Sequence, residues 1–529
     1  MGDAAWRVGI DVGGTNTDAV VLDAEDRLLA RVKTTTSEDV TAGILTALEL
    51  ALADLGGPVS NITHVMLGTT HATNAILERR DLYKVAMVRI GGPATRSIPP
   101  LAGWPERLRA AVSCGEEIID GGVEMTGEPL VPLDEEAARS FLGSLAGRAE
   151  AVSIAGVFSP VLADQELRIE EIAREEMGEV PVSLSHQIGS LGLLERENAC
   201  ILNAALVRVA RRVIDGLTSA ISAYGISADI YVAQNDGTLM GLDYVRRYPV
   251  LTIGSGPTNS MRGAIYLAGM SDALVVDVGG TSTDIGIISN GFPRESSTAV
   301  EVGGVRTNFR MPDLVSVAIG GGTIITDDAS GVRIGPESVG FHIRDEALIF
   351  GGPTPTLTDA AVATDRAGFL GSPSQVGSHT DLLVRAMGGC DIFVGEAVDR
   401  AKVSRKELPL IAVGGGSILI PASIPGVSEV IRPDQYDVAN AIGAAIASVS
   451  GEIDRVYKLG PGGREEAVSD AVATAKREAV TAGADPGSVD VVEIEEVPLA
   501  YLTEPVIRIR VKAAGPLRPP ESPHDAAAR

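Results

Sequence analysis

One nine-residue segment occurs twice in this chain of 529 residues, and the repeat constrains the fold more than any other feature. Residues 10–18 read Ile-Asp-Val-Gly-Gly-Thr-Asn-Thr-Asp, and residues 276–284 read Val-Asp-Val-Gly-Gly-Thr-Ser-Thr-Asp, so seven of nine positions are identical. In each copy a β-branched run and an Asp precede two glycines and hydroxyl residues, and a second apolar run follows. This order predicts a buried strand, a tight glycine turn and a return strand. The sequence therefore predicts the same β-hairpin in two places.

The two predicted turns carry groups that suit phosphate oxygens and a hydrated Mg²⁺ ion. They combine backbone N–H groups, threonine hydroxyls and a carboxylate at each end. A Gly-Gly hairpin is common and often binds nothing, but two near-identical copies favour phosphate binding over that simpler interpretation. The predicted nucleotide-binding residues of these turns are Gly13, Gly14, Thr15, Asn16, Thr17, Gly279, Gly280, Thr281, Ser282 and Thr283.

Four carboxylates flank the predicted turns. Asp11 and Asp277 end the strands that enter the turns. We predict that these two residues are catalytic and that they hold Mg²⁺, largely through water, against the β- and γ-phosphates of a nucleotide. Asp18 and Asp284 close the turns. They are metal candidates through contact with metal-bound water, and capping of backbone N–H groups is an equal alternative.

Two further glycine turns each follow a predicted strand. Glycine lacks a Cβ atom, so its backbone can approach a nucleotide closely. The four turns fit duplicated α/β domains that face each other across a cleft, with adenosine on the last turn. Gly443, Ala444 and Ala445 are predicted to allow close helix approach at the hinge, although ordinary small-residue packing explains each one singly. The candidate nucleotide-binding glycines are Gly320, Gly321, Gly322, Gly414, Gly415 and Gly416.

Polar residues in two loops are candidates to contact a substrate. Thr70, His71 and Asn74 lie in a small-residue loop that follows a predicted strand. Asp359 lies in a second polar loop. Helix capping alone explains Asn74, so the substrate role is one of two interpretations there.

Composition excludes several classes of function. The formal charge of −26 argues against nucleic acid or an anionic membrane surface as a partner. Three scattered cysteines exclude a disulfide framework or a CxxC metal site and suit a reducing compartment. Neither a secretion signal nor an apolar run that could span a bilayer occurs in the sequence, so we expect a cytoplasmic protein.

The chain length predicts more than one domain. Alternating strand and helix patterns indicate an α/β class. The predicted limits are 6–200 for a first domain with the first phosphate turn and 201–450 for a second domain with the second phosphate turn and the adenosine turn. A small C-terminal α+β appendage is predicted at 451–513, and a disordered tail at 514–529.

Six segments in this order resemble the hydantoinase/oxoprolinase family, A-subunit (ATP-binding) type, and the resemblance covers residues from about 6 to 513. It implies an α/β fold of duplicated actin-like ATPase (ribonuclease H-like) domains around a nucleotide cleft. It also implies ATP and Mg²⁺ as cofactors and a B-type subunit as partner. The six segments are residues 10–18, 68–76, 276–284, 356–360, 413–417 and 495–501.

The resemblance further implies an enzyme, an ATP-dependent amidohydrolase subunit that acts on a cyclic amide or imide of the hydantoin, oxoproline or lactam type. Phosphorylation of the carbonyl oxygen would activate the ring for attack by water. One alternative is the activating subunit of a ketone carboxylase. Another is an actin-like ATPase that acts on a protein partner, such as a chaperone or a reactivase.

Overall fold

The computed structural model of the protein describes most of the chain. The predictions for Gly14 and Thr15 lie outside the described residues, as do residues 500–501 of the family segment and the tail from 519 onward. The described residues are 5–13, 16–36, 40–55, 57–189, 191–296, 300–309, 311–329, 331–368, 370–460, 463–499 and 505–518.

The strands of the described residues form five sheets. Most strands of the two largest sheets are rich in β-branched residues and buried, as expected for sheets covered on both faces. The strands are β1 (Trp6–Val12), β2 (Asn16–Leu22), β3 (Leu28–Thr35), β4 (Ile62–Thr69), β5 (Val85–Gly92), β6 (Ser113–Asp120), β7 (Ala151–Gly156), β8 (Val182–Leu184), β9 (Asp229–Ala233), β10 (Leu239–Gly241), β11 (Ala273–Val278), β12 (Thr283–Ser289), β13 (Phe292–Pro293), β14 (Val300–Val302), β15 (Val305–Thr307), β16 (Leu314–Val317), β17 (Thr323–Asp328), β18 (Gly331–Ser338), β19 (Leu408–Val413), β20 (Val427–Ile431), β21 (Val449–Lys458), β22 (Asp490–Pro498) and β23 (Val506–Gly515).

The α-helices of the described residues connect and cover these strands, and the longest has 31 residues. No helix among them combines the length and apolar character that crossing a bilayer requires. The helices are α1 (Val40–Ala53), α2 (His71–Glu78), α3 (Glu106–Val112), α4 (Glu135–Leu145), α5 (Asp164–Met177), α6 (Leu193–Ala223), α7 (Leu242–Arg247), α8 (Ser255–Ala268), α9 (Ile343–Glu346), α10 (Leu357–Ala363), α11 (Thr380–Ala401), α12 (Ala439–Ala445) and α13 (Gly463–Ala482).

The two largest sheets share one five-strand arrangement. In the first sheet the neighbours run β3-β2-β1-β4-β9, with β1 antiparallel to β2 and parallel to β4. In the second sheet β16 and β13 both pair with β12, and the order continues β12-β11-β19-β20. There β11 is antiparallel to β12 and parallel to β19. The same order and directions in both sheets show that the chain contains a duplicated α/β unit.

A third sheet, β6-β5-β7-β8, is parallel throughout. Its strands are inserted in the sequence between β4 and β9, which are themselves paired in the first sheet. Helix α6 follows the insertion and packs against it. The N-terminal half of α6 is almost entirely buried, which explains how charged residues there come to lie inside the protein. The insertion therefore shares a continuous core with the first unit.

The C-terminal strands extend the first sheet. Strand β21 pairs with β10, and β23 lies between β21 and β22, so the full order is β22-β23-β21-β10-β9-β4-β1-β2-β3. Helix α13 packs on this extension through alanines such as Ala471, Ala475 and Ala479, which are fully buried. The strand pairing crosses the predicted limits at 200 and 450, and those domain limits stay a prediction. Strand β23 continues to Gly515, so the first two residues of the predicted disordered tail are part of a strand.

Helices α8 and α12 cross at very short range between the two sheets. A Cβ atom on Gly443 would overlap the carbonyl oxygen of Asn259, and one on Gly263 would overlap that of Ala439. A Cβ on Gly9 of β1 would likewise overlap backbone of α12. Only glycine fits at these crossings. The predicted close approach at residues 443–445 is confirmed, and the hinge itself stays a prediction.

Candidate functional site

The two repeated hairpins have the same pairing register. Asp11 lies opposite Asp18 on the β1–β2 pair. Asp277 lies opposite Asp284 on the β11–β12 pair. Each hairpin therefore carries two carboxylates side by side at the base of its turn, as the repeat predicts.

The two turns are also closed by the same backbone hydrogen bond. Gly13 donates its N–H to the carbonyl oxygen of Asn16 at 3.0 Å, and Gly279 donates to that of Ser282 at 2.9 Å. In both turns this bond joins the first glycine to the residue three positions later. This bond fixes the width of each turn.

Asp11 is buried and is held by two amide side chains. Asn440 Nδ2 donates to Asp11 Oδ2 at 2.9 Å, and Asn259 Nδ2 donates to Oδ1 at 3.3 Å. Gly68 of β4 makes room for this arrangement, because a Cβ there would overlap Asp11 Oδ1 and Asn259 Nδ2. The carboxylate is thereby fixed in orientation by neutral donors.

The pKa of Asp11 is affected by the charges of other acidic residues of the site. Burial, the neighbouring Asp18 and, least of all, the Asp277 carboxylate together raise the pKa of Asp11 to about 6. The hydrogen bonds from the two amides act in the opposite direction. That Asp11 and Asp277 face each other across a cleft stays a prediction.

The second hairpin has matching electrostatics. Burial raises the pKa of Asp284 to about 6, against a hydrogen bond from Ser316. Burial also raises the pKa of Asp277. Gly414, with φ of +82°, lies so close that a Cβ would overlap the Asp277 carboxylate. Each hairpin thus holds carboxylates whose charge a cation would stabilise.

Lys33 of β3 links the first hairpin to the second unit. Its Nζ lies 2.8 and 2.9 Å from the two oxygens of Asp18 and donates to the carbonyl oxygen of Asp437 at 2.8 Å. Burial raises the pKa of Asp18, and the Lys33 charge opposes that effect. Gly415 lies beside the Lys33 side chain. Lys33 was not a sequence-based candidate.

The triple glycine 320–322 supports the second turn. Gly321 N donates to the carbonyl oxygen of Gly279 at 3.0 Å, and Gly322 N donates to that of Gly280 at 2.7 Å. Gly320 N donates to Thr323 Oγ1 at 2.7 Å. All three N–H groups are used inside the protein, so they are not available to a nucleotide. We therefore propose that these glycines position the turn, in place of the nucleotide contact predicted for them.

The glycine turn 414–416 also packs against the second hairpin. Gly416 N donates to the carbonyl oxygen of Val278 at 2.8 Å, and Gly414 N donates to that of Tyr436 at 2.9 Å. A Cβ on Gly416 would stand 2.7 Å from the carbonyl oxygen of Gly279. These contacts place the turn beside the second hairpin, where the sequence predicts the adenosine, and that ligand role stays a proposal.

Two of the predicted hydroxyl ligands are engaged inside the protein. Thr283 is buried and donates its Oγ1 proton to the carbonyl oxygen of Ile319 at 2.6 Å. Thr17 is buried, and its Oγ1 lies 3.2 Å from Thr36 Oγ1. The hydroxyl groups of these two threonines therefore form hydrogen bonds within the protein. Among the described residues of the two turns, Asn16, Thr281 and Ser282 have at least partly exposed side chains.

The candidate residues of the loop after β4 lie in two places. Thr70 and Asn74 lie near the first hairpin, and His71 packs toward α6. Thr70 caps α2, and its N–H and hydroxyl both donate to the carbonyl oxygen of Val12, at 3.4 and 3.2 Å. Asn74 donates to Thr70 Oγ1 at 3.4 Å. The His71 ring lines a small apolar cavity against α6 and hydrogen-bonds Thr69, and burial lowers the pKa of His71 to about 4. Thr70 is thus at the first turn, whereas His71 points away from it.

Asp359 has no free carboxylate oxygen. It forms a capping box with Thr356 at the start of α10 and accepts hydrogen bonds from the N–H and hydroxyl of that residue, at 2.7 and 2.8 Å. It also accepts from the N–H groups of Leu348 and Ile349 at 3.3 and 2.8 Å. This geometry does not support the predicted substrate role. We propose that Asp359 organises the loop before α10.

The carboxylate set fits a hydrated divalent cation more closely than a directly ligated one. Among the described residues no three His, Cys, Asp or Glu side chains form a cluster that could hold an ion alone. Asp11 and Asp277 nevertheless repel each other, and Asn259 Oδ1 is buried beside Asp11 without a hydrogen-bond partner. A buried amide oxygen without a hydrogen-bond partner, together with the nearby carboxylates, suits a divalent cation that binds oxygen ligands and keeps most of its water.

Sequence reasoning did not identify Asn259 and Asn440. Both lie in helices of small residues, within Ser-Gly-Pro-Thr-Asn-Ser and Ala-Asn-Ala-Ile-Gly. A polar amide within a helix stretch of small residues is a signal that could have marked them, because burying an amide is costly unless it is bonded. Their shared target became visible only in the folded chain.

The sequence was compared with models of known protein families and with known proteins. Residues 7–177 match the hydantoinase/oxoprolinase N-terminal region, and residues 196–370 match the hydantoinase/oxoprolinase domain. The chain belongs to the hydantoinase/oxoprolinase family. The predicted family is thus confirmed, and the two matched regions contain both hairpins.

Two relatives in this family show its range. The chain is 30% identical to the acetophenone carboxylase gamma subunit of Aromatoleum aromaticum over 68% of this chain and 53% of that one. It is 28% identical to the caprolactamase subunit alpha of Pseudomonas jessenii over 69% of this chain and 55% of that one. The chain therefore spans about half the length of these relatives.

A solved structure of another family member has the same fold. The crystal structure of the ATP-dependent caprolactamase from Pseudomonas jessenii superposes with a TM-score of 0.74 at 19% identity, covering 98% of this chain and 88% of that chain. Together with the arrangement repeated in the two sheets, this similarity confirms the predicted class of duplicated actin-like ATPase domains.

Proposed function

We propose that this hydantoinase/oxoprolinase family chain binds Mg-ATP between its two hairpins and transfers the γ-phosphoryl group to the carbonyl oxygen of a cyclic amide or imide. One observation supports the proposal most directly. The hairpins have the same register, and Lys33, which pairs with Asp18 of the first hairpin, lies beside Gly415 of the turn that packs against the second hairpin. Two such turns that approach each other suit the successive phosphates of one nucleotide.

The chemistry explains why ATP is needed. An amide carbonyl is a poor electrophile, and phosphorylation of its oxygen gives an imidate that water can attack. In phosphoryl transfer the protein contributes positioning and charge stabilisation. In this chain the tips of the turns would contact the phosphates. Lys33, which already reaches the first hairpin, would offset phosphate charge.

The residues that would hold the metal are those at the bases of the hairpins. Asp11 and Asp277 would bind the ion through water, and Asp18 and Asp284 would orient that water. When bound, Mg²⁺ supplies positive charge that stabilises the phosphates and the transferring group. The amides of Asn259 and Asn440 would keep the Asp11 carboxylate in a fixed orientation.

The acceptor would bind near the loop after β4. Thr70 contacts the end of β1 through Val12, so its side chain lies beside the first turn. Asn74 is one helical turn further along α2 and bonds to Thr70. We propose these two residues for acceptor contact and assign His71 to the core.

The test is ADP release by the purified chain, and by the chain with its partner subunit, in the presence of hydantoin, 5-oxoproline or caprolactam. We expect at least one ring to stimulate ADP release, and Asp11→Ala or Asp277→Ala to abolish it. Asp243→Ala is the matched control, because that side chain is 97% exposed and lies outside the site. No stimulation by any cyclic amide, or normal turnover of either site variant, would refute the proposal.

A second candidate follows from the acetophenone carboxylase relative. The same site would then phosphorylate the enol oxygen of a ketone in place of an amide oxygen. ADP release that requires both a ketone and bicarbonate would favour this candidate. The two candidates share the phosphate turns and differ only in the acceptor.

We also propose a partner subunit. Two of the relatives are named as subunits, the acetophenone carboxylase gamma subunit and the caprolactamase subunit alpha. A B-type partner that completes the reaction would be seen as a complex of defined stoichiometry when the two chains are produced together. The cytoplasmic location stays a prediction.

A further inference from the structure

Gly256, the second residue of α8, is a buried glycine that the packing of the described residues does not explain. Outside its own helix and its chain neighbours, a Cβ atom built there would have Thr70 Cγ2 alone within 4 Å, at 3.7 Å, among the described residues. That separation is an ordinary van der Waals contact, and Gly256 lies within an α-helix. An alanine would therefore fit both the space and the backbone at this position.

Other glycines around this position have a steric or a conformational reason. A Cβ atom on Gly263, two turns further along α8, would overlap the carbonyl oxygen of Ala439, and one on Gly68 would overlap the Asp11 carboxylate. Gly254, which precedes α8, has φ of +78°, a left-handed conformation that favours glycine. Glycine is one of the least favourable residues in a helix. A buried helix glycine with no such reason therefore indicates that the space beside it is left for a ligand.

The space lies beside the loop that carries the proposed acceptor contacts. Thr70 of that loop donates from its N–H and its hydroxyl to the carbonyl oxygen of Val12, directly before the first turn. Ser255 Oγ donates to the carbonyl oxygen of Thr69 at 3.2 Å, which joins the start of α8 to the same loop. The Thr70 hydroxyl is thus bonded to the end of β1, and its methyl group borders the space at Gly256.

Helix α8 joins this space to the carboxylates of the site. Asn259 follows Gly256 by three residues, so the two positions are neighbours on one face of the helix, about 5–6 Å apart. Asn259 donates to Asp11 at 3.3 Å. Burial raises the pKa of Asp277, and a hydrogen bond from the next residue, Ser260, opposes that effect. An acceptor bound beside Gly256 would therefore lie about one helical turn from the residues that hold Asp11 and Asp277.

Asn74 supplies a polar group beside Thr70. Its Nδ2 donates to Thr70 Oγ1 at 3.4 Å, and both residues are partly exposed. No described residue forms a hydrogen bond with Asn74 Oδ1, and this oxygen is not among the buried atoms without a partner. It can therefore accept the N–H of a ring. A cyclic amide offers such an N–H together with methylene groups that suit the apolar space between the Thr70 methyl group and Gly256.

We propose that Gly256 sets the size of the acceptor, because the apolar part of the ring occupies the volume that a side chain at this position would fill. The inference rests on the proposed function and adds a specificity-determining residue to its acceptor site. Gly256 takes no part in the chemistry and acts only through the volume that it leaves open. A seven-membered ring needs more of that volume than a five-membered ring does.

The first test compares rings of different size. ADP release is measured over a range of hydantoin, 5-oxoproline and caprolactam concentrations, in the preparation in which wild type turns over. We expect Gly256→Ala to lower kcat/KM at least about 10-fold for the largest ring that wild type accepts, and less for smaller rings. Asn74→Ala should lower it to a similar extent for every ring, because it removes the contact to the N–H.

Gly388→Ala is the matched control for the first test. Its Cβ atom would lie in open space on α11, so this variant should retain normal kcat/KM. Equal kcat/KM of Gly256→Ala and wild type for every ring would overturn the inference. The same dependence on ring size in Asn74→Ala would also overturn it, because the loss would then come from a disturbed loop.

The second test needs no turnover. Because its Cβ atom has room, Gly256→Ala should unfold in urea at the same midpoint as wild type or a higher one. Gly263→Ala in the same helix should unfold at a clearly lower midpoint, because its Cβ atom would overlap backbone. A similar loss of stability in both variants would show that the space is absent. That result would overturn the inference even if a ring drives ADP release.

The outcomes separate this inference from the proposed function. If rings drive ADP release equally in wild type and Gly256→Ala, the inference alone fails. If acetone or acetophenone with bicarbonate drives ADP release and no ring does, the cyclic-amide function fails. The inference then stands if Gly256→Ala discriminates against the larger ketone, and it falls if the variant does not. If neither a ring nor a ketone drives ADP release, both the proposed function and the inference fail.

Discussion

Asn440 donates from Nδ2 to Asp11 Oδ2 at 2.9 Å, which joins the start of α12 to the end of β1 across 429 residues of sequence. Asp11 is only 3% exposed, and its two hydrogen-bond partners, Asn440 and Asn259, are neutral amides. Among the described residues no lysine or arginine forms an ion pair with it. The carboxylate is therefore oriented but not neutralised, as a residue that receives a hydrated cation should be.

We predict that Asn440→Ala lowers Mg-ATP turnover about 10- to 100-fold, because a carboxylate that binds metal-bound water loses its orientation without its supporting donor. The rate of ADP release from ATP, measured at several Mg²⁺ concentrations, gives the size of the effect. Asn61→Ala, at the end of a short 3₁₀ helix directly before β4, serves as the control and should retain normal turnover. Equal activity of the two variants would contradict the role of the amide.

Lys33→Met should reduce the free energy of unfolding by about 2 kcal/mol, because it leaves the buried Asp18 carboxylate without its cation. The Asp18 side chain is 2% exposed, whereas that of Lys33 is 28% exposed. The double variant Lys33→Met with Asp18→Asn should recover most of that loss, since the unpaired charge is gone. Urea denaturation of the single and double variants measures this coupling. Additive losses would show that the pair is not energetically linked.

Two helix glycines should respond oppositely to alanine. Gly443→Ala should destabilise the protein by about 3 kcal/mol or more, because its Cβ would overlap the carbonyl oxygen of Asn259. Gly388 in α11 has open space where its Cβ would lie, so Gly388→Ala should raise stability by about 0.5–1 kcal/mol. Thermal and chemical unfolding of the two variants form a matched comparison. Similar effects at both positions would contradict the close helix crossing.

Asp359→Ala should lower stability without changing the chemistry of the site. The loss should be about 3 kcal/mol, because several backbone N–H groups lose their acceptor in the core. The turnover number per folded molecule should equal that of wild type at a temperature where both are folded. A selective rise in KM for the ring would instead support the substrate contact predicted from sequence.

Stability should depend on pH through His71. Burial lowers the pKa of His71 to about 4, from 6.5 when exposed, so the unfolded chain binds more protons between these values. The His71 contribution is therefore complete above about pH 6.5 and is lost as pH falls toward 4, by at most about 3 kcal/mol. Asp11, whose pKa is raised by burial to about 6, acts in the opposite direction. The difference between wild type and His71→Leu isolates the histidine, and a difference constant over pH 4–7 would contradict its burial as a neutral ring.

The parts of the fold that depend on residues close together in the sequence could be predicted from the sequence. The two hairpins follow from β-branched runs on either side of a glycine turn, and their common register follows from the repeat. The capping box at Thr356 and Asp359 is also a local pattern, a threonine followed three residues later by an acid. It could have been recognised, and its recognition would have removed Asp359 from the substrate candidates.

The sequence by itself determined the family, the duplicated α/β class and the position of the two repeated glycine turns, because these depend on local hydrogen bonding and on the order of apolar and glycine residues. Only the tertiary structure decided which side chains meet. Asn259 and Asn440 reach Asp11 because glycines let α8 and α12 cross. Such contacts join distant parts of the chain, and packing, not local sequence, sets their geometry.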